Sequence, residues 1–297
     1  MSSLLTNTSA MTALQSLTAT QNSLNKTQNQ ISTGLRIGSA ADGASYWSIS
    51  EKMKSDSSAL SAVSDALSMS SSLIDTMSSA LEGTISIMNT IKAALVTAQQ
   101  PGADLDKIQT DINAQISQLK SIGNSAVFSK QNWLSTSSTQ TVSLVASYDA
   151  TNGVSYITID TSDTQLFSYD SSAKTFGSVG ILGTVGTNYS STSILTMDIS
   201  SATIGDLNNM LLDVDSVIDS ITTAASTLGA TKTSVALQKT FVQTMTDSLD
   251  AGVGSLVDAD MNEASTRLQA LQVQQQLGIQ SLSIANQNSQ MILKLFQ

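Results

Sequence analysis

The chain has 297 residues, with no cysteine, no histidine, one proline and a formal net charge of −10. Disulfides, thiolate metal sites and histidine general bases are thereby excluded, and the acidity argues against binding to nucleic-acid phosphates. Only 12% of the residues are charged, about half the usual share. This composition favours a polar surface that becomes buried against other copies, although a low-complexity chain would share it.

Charge is unevenly distributed along the sequence. Residues 1–40 and 264–297 each carry a net charge of +2 and no acidic side chain, whereas residues 41–263 carry −14. Solvated tails usually carry more charge than these ends do. The ends are therefore expected to leave water on assembly. No apolar run reaches the length of a membrane span, and the start lacks the pattern of a cleavable signal peptide.

Heptad patterns run through both ends of the sequence. From Ala10 the first series continues through Leu14, Leu17, Gln21, Leu24, Gln28, Ile31 and Leu35. From Val257 the second continues through Met261, Ala264, Leu268, Leu271, Gln275, Gly278, Leu282, Ala285, Ser289, Ile292 and Phe296. Such alternating steps of three and four predict a left-handed coiled coil, in which polar Gln residues can fix the register.

The alternative to a coiled coil is an amphipathic helix packed on a globular core. Residues 268–290 contain no charged side chain, and a helix with one face in water rarely has this composition. The two ends are therefore predicted to pair with each other and to order fully on assembly. The residues expected to form this polymerisation interface are Leu14, Leu17, Leu24, Ile31, Leu35, Leu268, Leu271, Leu282 and Ile292.

Further helices are predicted inward from the N-terminal series. The same spacing from Leu60 to Leu95 indicates a helix over about residues 45–99, which ends at the breaker pair Pro101-Gly102. A shorter helix follows, with Leu105, Ile108, Ile112, Ile116 and Leu119 on one face.

Two capping motifs mark the C-terminal helices. Thr203 and Asp206 form a candidate capping box, ahead of a helix that runs to about Leu249. Asp260 and Glu263 form another, which opens the last helix.

The pattern changes between residues 135 and 200. Apolar residues alternate over 142–148 and 154–159 around a Thr-Asn-Gly turn, which predicts a β-hairpin. Leu195, Met197 and Ile199 alternate in the same way and predict a closing strand. The predicted fold is mainly α with a small β-rich insert.

Candidate catalytic and metal-binding residues are better explained by structure. Residues 258–262 begin like a calcium-binding loop, but Glu263 and Gln269 stand where that loop needs Gly and Glu. The pairs Asp213–Asp219 and Asp104–Asp111 could be read as carboxylate dyads, yet their spacing is that of a solvated helix face. With no histidine to activate a serine, neither an enzyme nor a metal or cofactor site is predicted.

Residues 30–56 (QISTGLRIGSAADGASYWSISEKMKSD) carry a family resemblance. They resemble the N-terminal signature of bacterial flagellins, with Gly34, Arg36 and Asp42 among the matching positions. Gly38 replaces the asparagine that is usual in the family.

The resemblance extends over about 1–135 and 200–297. Residues 105–134 are similar to the family's second helix, and residues 259–297, which include Asn286, are similar to its last helix. The short middle segment and Gly38 resemble the flagellins of alpha-proteobacteria.

The resemblance implies a domain organisation. It implies an inner coiled-coil domain from segments 1–40 and 256–297. A helical spoke domain would come from 41–135 and 200–255, and a variable outer β-rich domain from 136–199.

The resemblance also implies partners and a location. Copies would polymerise, alone or mixed with related flagellins, into the extracellular filament used for swimming. The chain would be secreted through the flagellar type III export apparatus with a chaperone, and would meet hook-junction and cap proteins. Neither nucleic acid nor membrane is an implied partner.

One departure from the family concerns a host partner. In many flagellins, an Arg-apolar-Arg-Glu-Leu stretch is recognised by an innate immune receptor. Residues 90–94 stand at these positions, and only the basic character of Lys92 is retained. The resemblance therefore predicts weak host receptor recognition.

Other functions remain compatible with heptad termini. A flagellar junction protein would have similar ends but would not grow long polymers. A type III translocator or secreted coiled-coil effector would usually carry a long apolar segment or a charged target surface. A hydrolase using serine and acidic residues is the poorest alternative.

Overall fold

The computed structural model describes residues 7–170, 175–177, 179–189 and 192–295, with side chains up to residue 287. Within them lie the helices α1 (Thr8–Thr33), α2 (Ala40–Ala98), α3 (Leu105–Ser125), α4 (Ile204–Val257) and α5 (Met261–Leu295). Between α3 and α4 lie β1 (Ser135–Thr136), β2 (Thr141–Asp149), β3 (Gly153–Asp160), β4 (Phe167–Asp170) and β5 (Thr175–Phe176). The described chain is mainly helical with a small β-rich insert, which confirms the predicted fold class.

The chain forms two compact units. The terminal unit comprises residues 1–57 and 247–297, and the central unit comprises residues 58–246. Helices α2 and α4 each contribute to both units.

In the terminal unit, α1 and α5 pair in antiparallel orientation. Asn7 Nδ2 donates to the carbonyl of Ala285 at 3.0 Å, and Gln275 Nε2 donates to Gln21 Oε1 at 2.6 Å. Residue numbers thus rise along one helix as they fall along the other. The predicted pairing of the chain ends is confirmed.

In the central unit, α2 and α4 also run antiparallel, as the ion pairs Lys92–Asp215 and Lys232–Asp75 show. Buried residues of α2 recur at steps of three and four, as predicted. They include Leu60, Val63, Leu67, Ser70, Ile74, Met77, Leu81, Thr84, Met88, Ile91 and Leu95. Buried residues of α4 follow a matching pattern through Leu207, Met210, Val214, Ile221, Leu228, Val235 and Val242.

The predicted β-hairpin is present as the antiparallel pair β2–β3, with a register shift between Val145 and Ser147. Asp149 Oδ1 accepts hydrogen bonds from the backbone N–H groups of Thr151 and Asn152, which closes the turn. A second small sheet has the strand order β1-β4-β5.

The predicted closing strand at 195–199 is wrong. Residues Ile194–Thr196 form a 3₁₀ turn, and the following backbone binds a helix side chain instead of a strand. Gln109 of α3 donates to the carbonyl of Met197 at 3.0 Å and accepts from the N–H of Ile199 at 2.8 Å. Leu195, Met197 and Ile199 are all buried. The alternation of apolar residues therefore reflects their burial, although this segment does not pair with a strand.

The predicted Thr203–Asp206 capping box is present, and of the second predicted box the structure shows the bonds to the Asp260 side chain. The Thr203 N–H and Oγ1 donate to Asp206 Oδ2, while Thr203 Oγ1 accepts from the Asp206 N–H. Asp260 Oδ1 accepts from the N–H groups of Asn262 and Glu263, so this acid caps α5.

Helix α4 extends beyond the predicted end near Leu249, to Val257. It passes through Gly252, where an added Cβ would lie 2.6 Å from Met53 Cε. The glycine therefore permits close approach of α2 in the terminal unit and does not end the helix.

Candidate assembly interface

Helix α5 presents the predicted heptad to α1. Leu268, Leu271 and Leu282 are each partly covered, as are the small residues Gly278 and Ala285 between them. A Cβ added at Gly278 would lie 3.1 Å from Leu17 Cδ1. The two helices therefore approach closely at this position, where one side chain is absent. Ile292 lies beyond the residues whose side chains are described.

Helix α1 uses a partly different set of residues. Leu24 is buried, and Leu17 and Ile31 are partly buried, as predicted. Leu14, however, is 53% exposed, and Gln28 is also exposed. Neither side chain is covered within the single chain, so their place in the assembly interface stays a prediction. The covered positions between the shared residues are Ala13, Thr20, the predicted Gln21 and Thr27.

The physical reason for this difference is side-chain size. Ala13 and Thr27 are smaller than Leu14 and Gln28, and closely packed helices accommodate small side chains between the large ones, while Gly278 leaves room for Leu17. Thr27 satisfies its hydroxyl by donating to the Ser23 carbonyl at 2.9 Å. The buried hydroxyl therefore carries no desolvation penalty.

Leu35 lies outside the α1–α5 seam, because α1 ends at Thr33 with Gly34 as its C-cap at φ 74°. Leu35 instead packs, with Trp47 and Met53, on a buried cluster of Ile37, Val253 and Val257. The helical part of the heptad therefore ends before Leu35, and the role of Leu35 in assembly stays a prediction. The positive φ at Gly34 explains the interruption, since glycine adopts it without steric cost.

Within the terminal unit, the signature residues connect the segment after α1 to the end of α4. Arg36 donates through Nη2 to the carbonyl of Leu256 at 2.9 Å, near the last turn of α4. A guanidinium at a helix C-terminus donates to a carbonyl that has no partner within the helix, and its positive charge interacts favourably with the helix dipole. The backbone reinforces this connection: the Ala259 N–H donates to the carbonyl of Gly34 at 2.8 Å.

Asp42 stabilises the start of α2. Its carboxylate accepts from Ser39 Oγ at 3.0 Å and lies 3.3 Å from Lys26 Nζ of α1. These contacts, the Ser39 bond first, hold the pKa of Asp42 below its ordinary value of 3.8. Asn286 is exposed on α5.

Helix α5 has a second apolar stripe on the side roughly opposite the seam with α1. Val273, Leu277 and Ile284 are each more than half exposed. Their steps of four and seven place them on one face. A helix that is apolar on two opposite sides is typical of one that is buried on both.

Asp213 and Asp219, considered above as a possible carboxylate pair, lie in different environments. Asp213 is buried in the central unit and accepts from Asn188 Nδ2 and from the N–H groups of Asn188 and Tyr189. Asp219 is exposed on α4. Within the described residues, no group of three acids could hold a metal ion. No described helix is long and apolar enough to cross a membrane.

Paired helical ends with a further exposed apolar stripe are typical of self-assembling structural subunits. Residues 4–139 match the family model of the bacterial flagellin N-terminal helical region, and residues 211–296 match that of the C-terminal helical region. The chain belongs to the bacterial flagellin family.

Curated relatives agree over the full length. The chain is 43% identical to Flagellin C of Rhizobium meliloti strain 1021 and 42% identical to a flagellin of Brucella melitensis, with 100% of both chains covered in each case. It is 36% identical to Flagellin A of R. meliloti strain 1021, again over 100% of both chains. These relatives are alpha-proteobacterial. The chain is a structural filament protein and not an enzyme.

Proposed function

We propose that copies of this chain polymerise into the filament by burying both sides of α5, one against its own α1 and the other against neighbouring copies. The observation that carries this proposal is the exposed stripe of Val273, Leu277 and Ile284 on a helix whose opposite face is already covered. Leaving such a stripe in water forgoes about 25 cal/mol for each Å² of apolar surface.

The energetics of the terminal pair favour coupling between folding and assembly. Each large apolar side chain on the seam contributes about 1.5 kcal/mol or somewhat more when buried. Ordering each residue costs about 1 kcal/mol or more. A lone α1–α5 pair with several small or polar seam residues is therefore marginal. Burial of the second α5 stripe shifts the balance towards the ordered state.

The geometry of assembly follows from the same surfaces. A head-to-tail contact that does not close on itself generates a helical polymer. Leu14 is exposed in the single chain, and it belongs to the proposed contacts between copies. The division into inner (1–40, 256–297), spoke (41–135, 200–255) and outer (136–199) segments is part of the proposal.

The proposal extends to the route out of the cell and to the other partners. The chain is secreted by the flagellar export apparatus with an export chaperone, and it meets hook-junction and cap proteins at the filament ends. The absence of charged side chains from residues 268–290 supports the need for a chaperone, since an uncharged helix with an exposed apolar stripe is prone to associate before assembly.

The test changes one seam residue on each helix. Leu24→Asp and Leu271→Asp place a charge in the α1–α5 seam, and both variants are expected to stay soluble as subunits that do not polymerise. Seeded growth is measured by sedimentation and negative-stain microscopy. Asn152→Asp, in the exposed β2–β3 turn, is the matched control and should polymerise normally. Normal filaments from both seam variants would refute the proposal.

Weak recognition by the host innate receptor is also proposed. Lys92 is the retained basic residue, and it is held in an ion pair with Asp215. Ile91 is fully buried in the central unit. A surface with one neutralised cation offers little to a receptor that binds arginines. A reporter cell line exposed to the purified chain should respond weakly; a strong response would contradict the assignment.

A further inference from the structure

The α2–α4 pair of the central unit has one charged side. Lys232 of α4 and Asp75 of α2 form an ion pair, and both side chains are about half exposed. This side of the helix pair faces water in the usual way, with opposite charges on neighbouring helices.

The other side of α4 is apolar and exposed. At 3.6 residues per turn, Phe241 lies roughly 180° around the helix from Lys232. Leu237 and Met245, four residues away on either side, complete a stripe with it. Leu237 is 69% exposed and Phe241 is 52% exposed. Three large apolar side chains in one exposed row are more than the scattered single residues expected of a solvated helix.

A groove lies at the same level of the helix pair. The ion pairs Lys92–Asp215 and Lys232–Asp75 fix the antiparallel register, which places Phe241 level with Ala66 and Leu237 level with Ser70. Ala66 and Ser70 line a groove of about 380 Å³ between α2 and β2. Its other lining residues are Met69, Leu73, Ser129, Gln131, Trp133, Val142, Ser143, Leu144 and Val145.

The groove and the stripe share their chemistry. The described residues that line the groove carry no charge. Trp133 and Leu73 are buried beneath it, while Met69 stands half exposed at its rim. Methionine adapts its shape to an incoming apolar group. The lining therefore offers a charged ligand or a nucleic acid no opposite charge.

We infer that the stripe Leu237–Phe241–Met245 of one copy binds in the α2–β2 groove of a second copy. This inference rests on the proposed polymerisation, which brings identical surfaces together. A second copy supplies an occupant that fits this groove, namely an uncharged row of side chains with an aromatic ring at its centre. Aromatic side chains in such pockets commonly dominate the energy of an interface.

The first test uses the absence of cysteine from the chain. Phe241→Cys and Val145→Cys are prepared as separate variants, mixed, polymerised and oxidised. A disulfide-linked dimer that contains one of each variant is expected in filaments and not in unpolymerised mixtures. The pair Gln243→Cys with Val145→Cys is the matched control, because Gln243 lies on another face of α4. Filaments that yield no mixed dimer, or as much with the control pair, would overturn the inference.

The second test measures the contribution of the aromatic ring. Phe241→Ser should leave the thermal unfolding of the monomer nearly unchanged, because the ring is half exposed. It should raise the critical concentration for polymerisation about tenfold, which corresponds to about 1.4 kcal/mol. Gln243→Ser should do neither. An unchanged critical concentration with Phe241→Ser would overturn the inference.

The outcomes separate this inference from the function on which it rests. If the parent chain polymerises but neither test responds, the contact is absent and the terminal interface stands. If the parent chain does not polymerise from seeds, both proposals fail together.

Discussion

At the scale of single residues, Asp213 shows what the sequence could not distinguish. Asp213 and Asp219 lie on the same helix and have the same side chain. Only the structure shows that the first is buried beneath the loop at Asn188 and Tyr189 while the second is exposed. Hydrophobic periodicity assigns acids to the solvent side of a helix. It cannot detect a carboxylate that binds a distant loop.

Replacing Asp213 should therefore destabilise the central unit. Asp213→Ala leaves the N–H groups of Asn188 and Tyr189 without their acceptor, and a buried unsatisfied donor costs about 1–3 kcal/mol. The free energy of unfolding, measured by urea denaturation, should fall by that amount. Asp219→Ala is the matched control and should change it little. Equal effects of the two substitutions would contradict the assigned role.

Asp42 gives the terminal unit a dependence on pH. The Ser39 bond and Lys26 lower the pKa of this carboxyl from 3.8. A lowered folded-state pKa contributes stability above the unfolded value, and that contribution is lost as the pH falls through the folded value. Asp42→Asn should lower the melting temperature at neutral pH and lessen its decline below pH 3.8. Melting curves that shift equally at every pH would contradict this.

At the scale of elements, the sequence predicts which helices pair but not which residues face the partner. The predicted and observed seams of α1 share Ala10, Leu17, Gln21, Leu24 and Ile31. They differ at two positions, where Leu14 and Gln28 were predicted and the smaller neighbours Ala13 and Thr27 are covered instead. The size of the gap between two helices depends on both helices and cannot be read from the sequence of one.

The polar contact between Gln21 and Gln275 was predictable as a register device. Both residues interrupt the heptads, and the structure joins them at 2.6 Å. A polar residue in a coiled-coil seam costs stability but opposes slippage.

The close approach at Gly278 can be tested directly. Gly278→Val places side-chain atoms against Leu17, and overpacking of this kind costs about 1–3 kcal/mol. The α1–α5 pair should separate, and the critical concentration for polymerisation should rise about tenfold or more. Gly229→Val is the control. A Cβ there meets nothing within 4 Å among the described residues, and the same helical propensity change applies. Matching behaviour of the two variants would show that the approach at Gly278 has no role.

At the scale of the whole molecule, composition carries more information than any motif. A chain with 12% charged residues has few ways to stay dispersed in water. The structure shows which surfaces are apolar where charge is scarce: α5 is apolar on two sides, and α4 exposes Phe241 and its neighbours. The sequence predicted the ends as assembly surfaces because their heptads are regular. The α4 stripe was missed, because its residues lie outside the apolar series that α4 buries against α2.

The two sides of α5 should be separable by mutation. The triple change of Val273, Leu277 and Ile284 to serine removes the exposed stripe but leaves the seam with α1 intact. Such a chain should keep the α1–α5 pair, as reported by a disulfide between engineered cysteines at Leu17 and Gly278, and yet fail to polymerise. Leu271→Asp should lose both the disulfide and the polymer. If the triple variant polymerised at the parent's critical concentration, α5 would need only one partner, and assembly would depend on surfaces elsewhere in the chain.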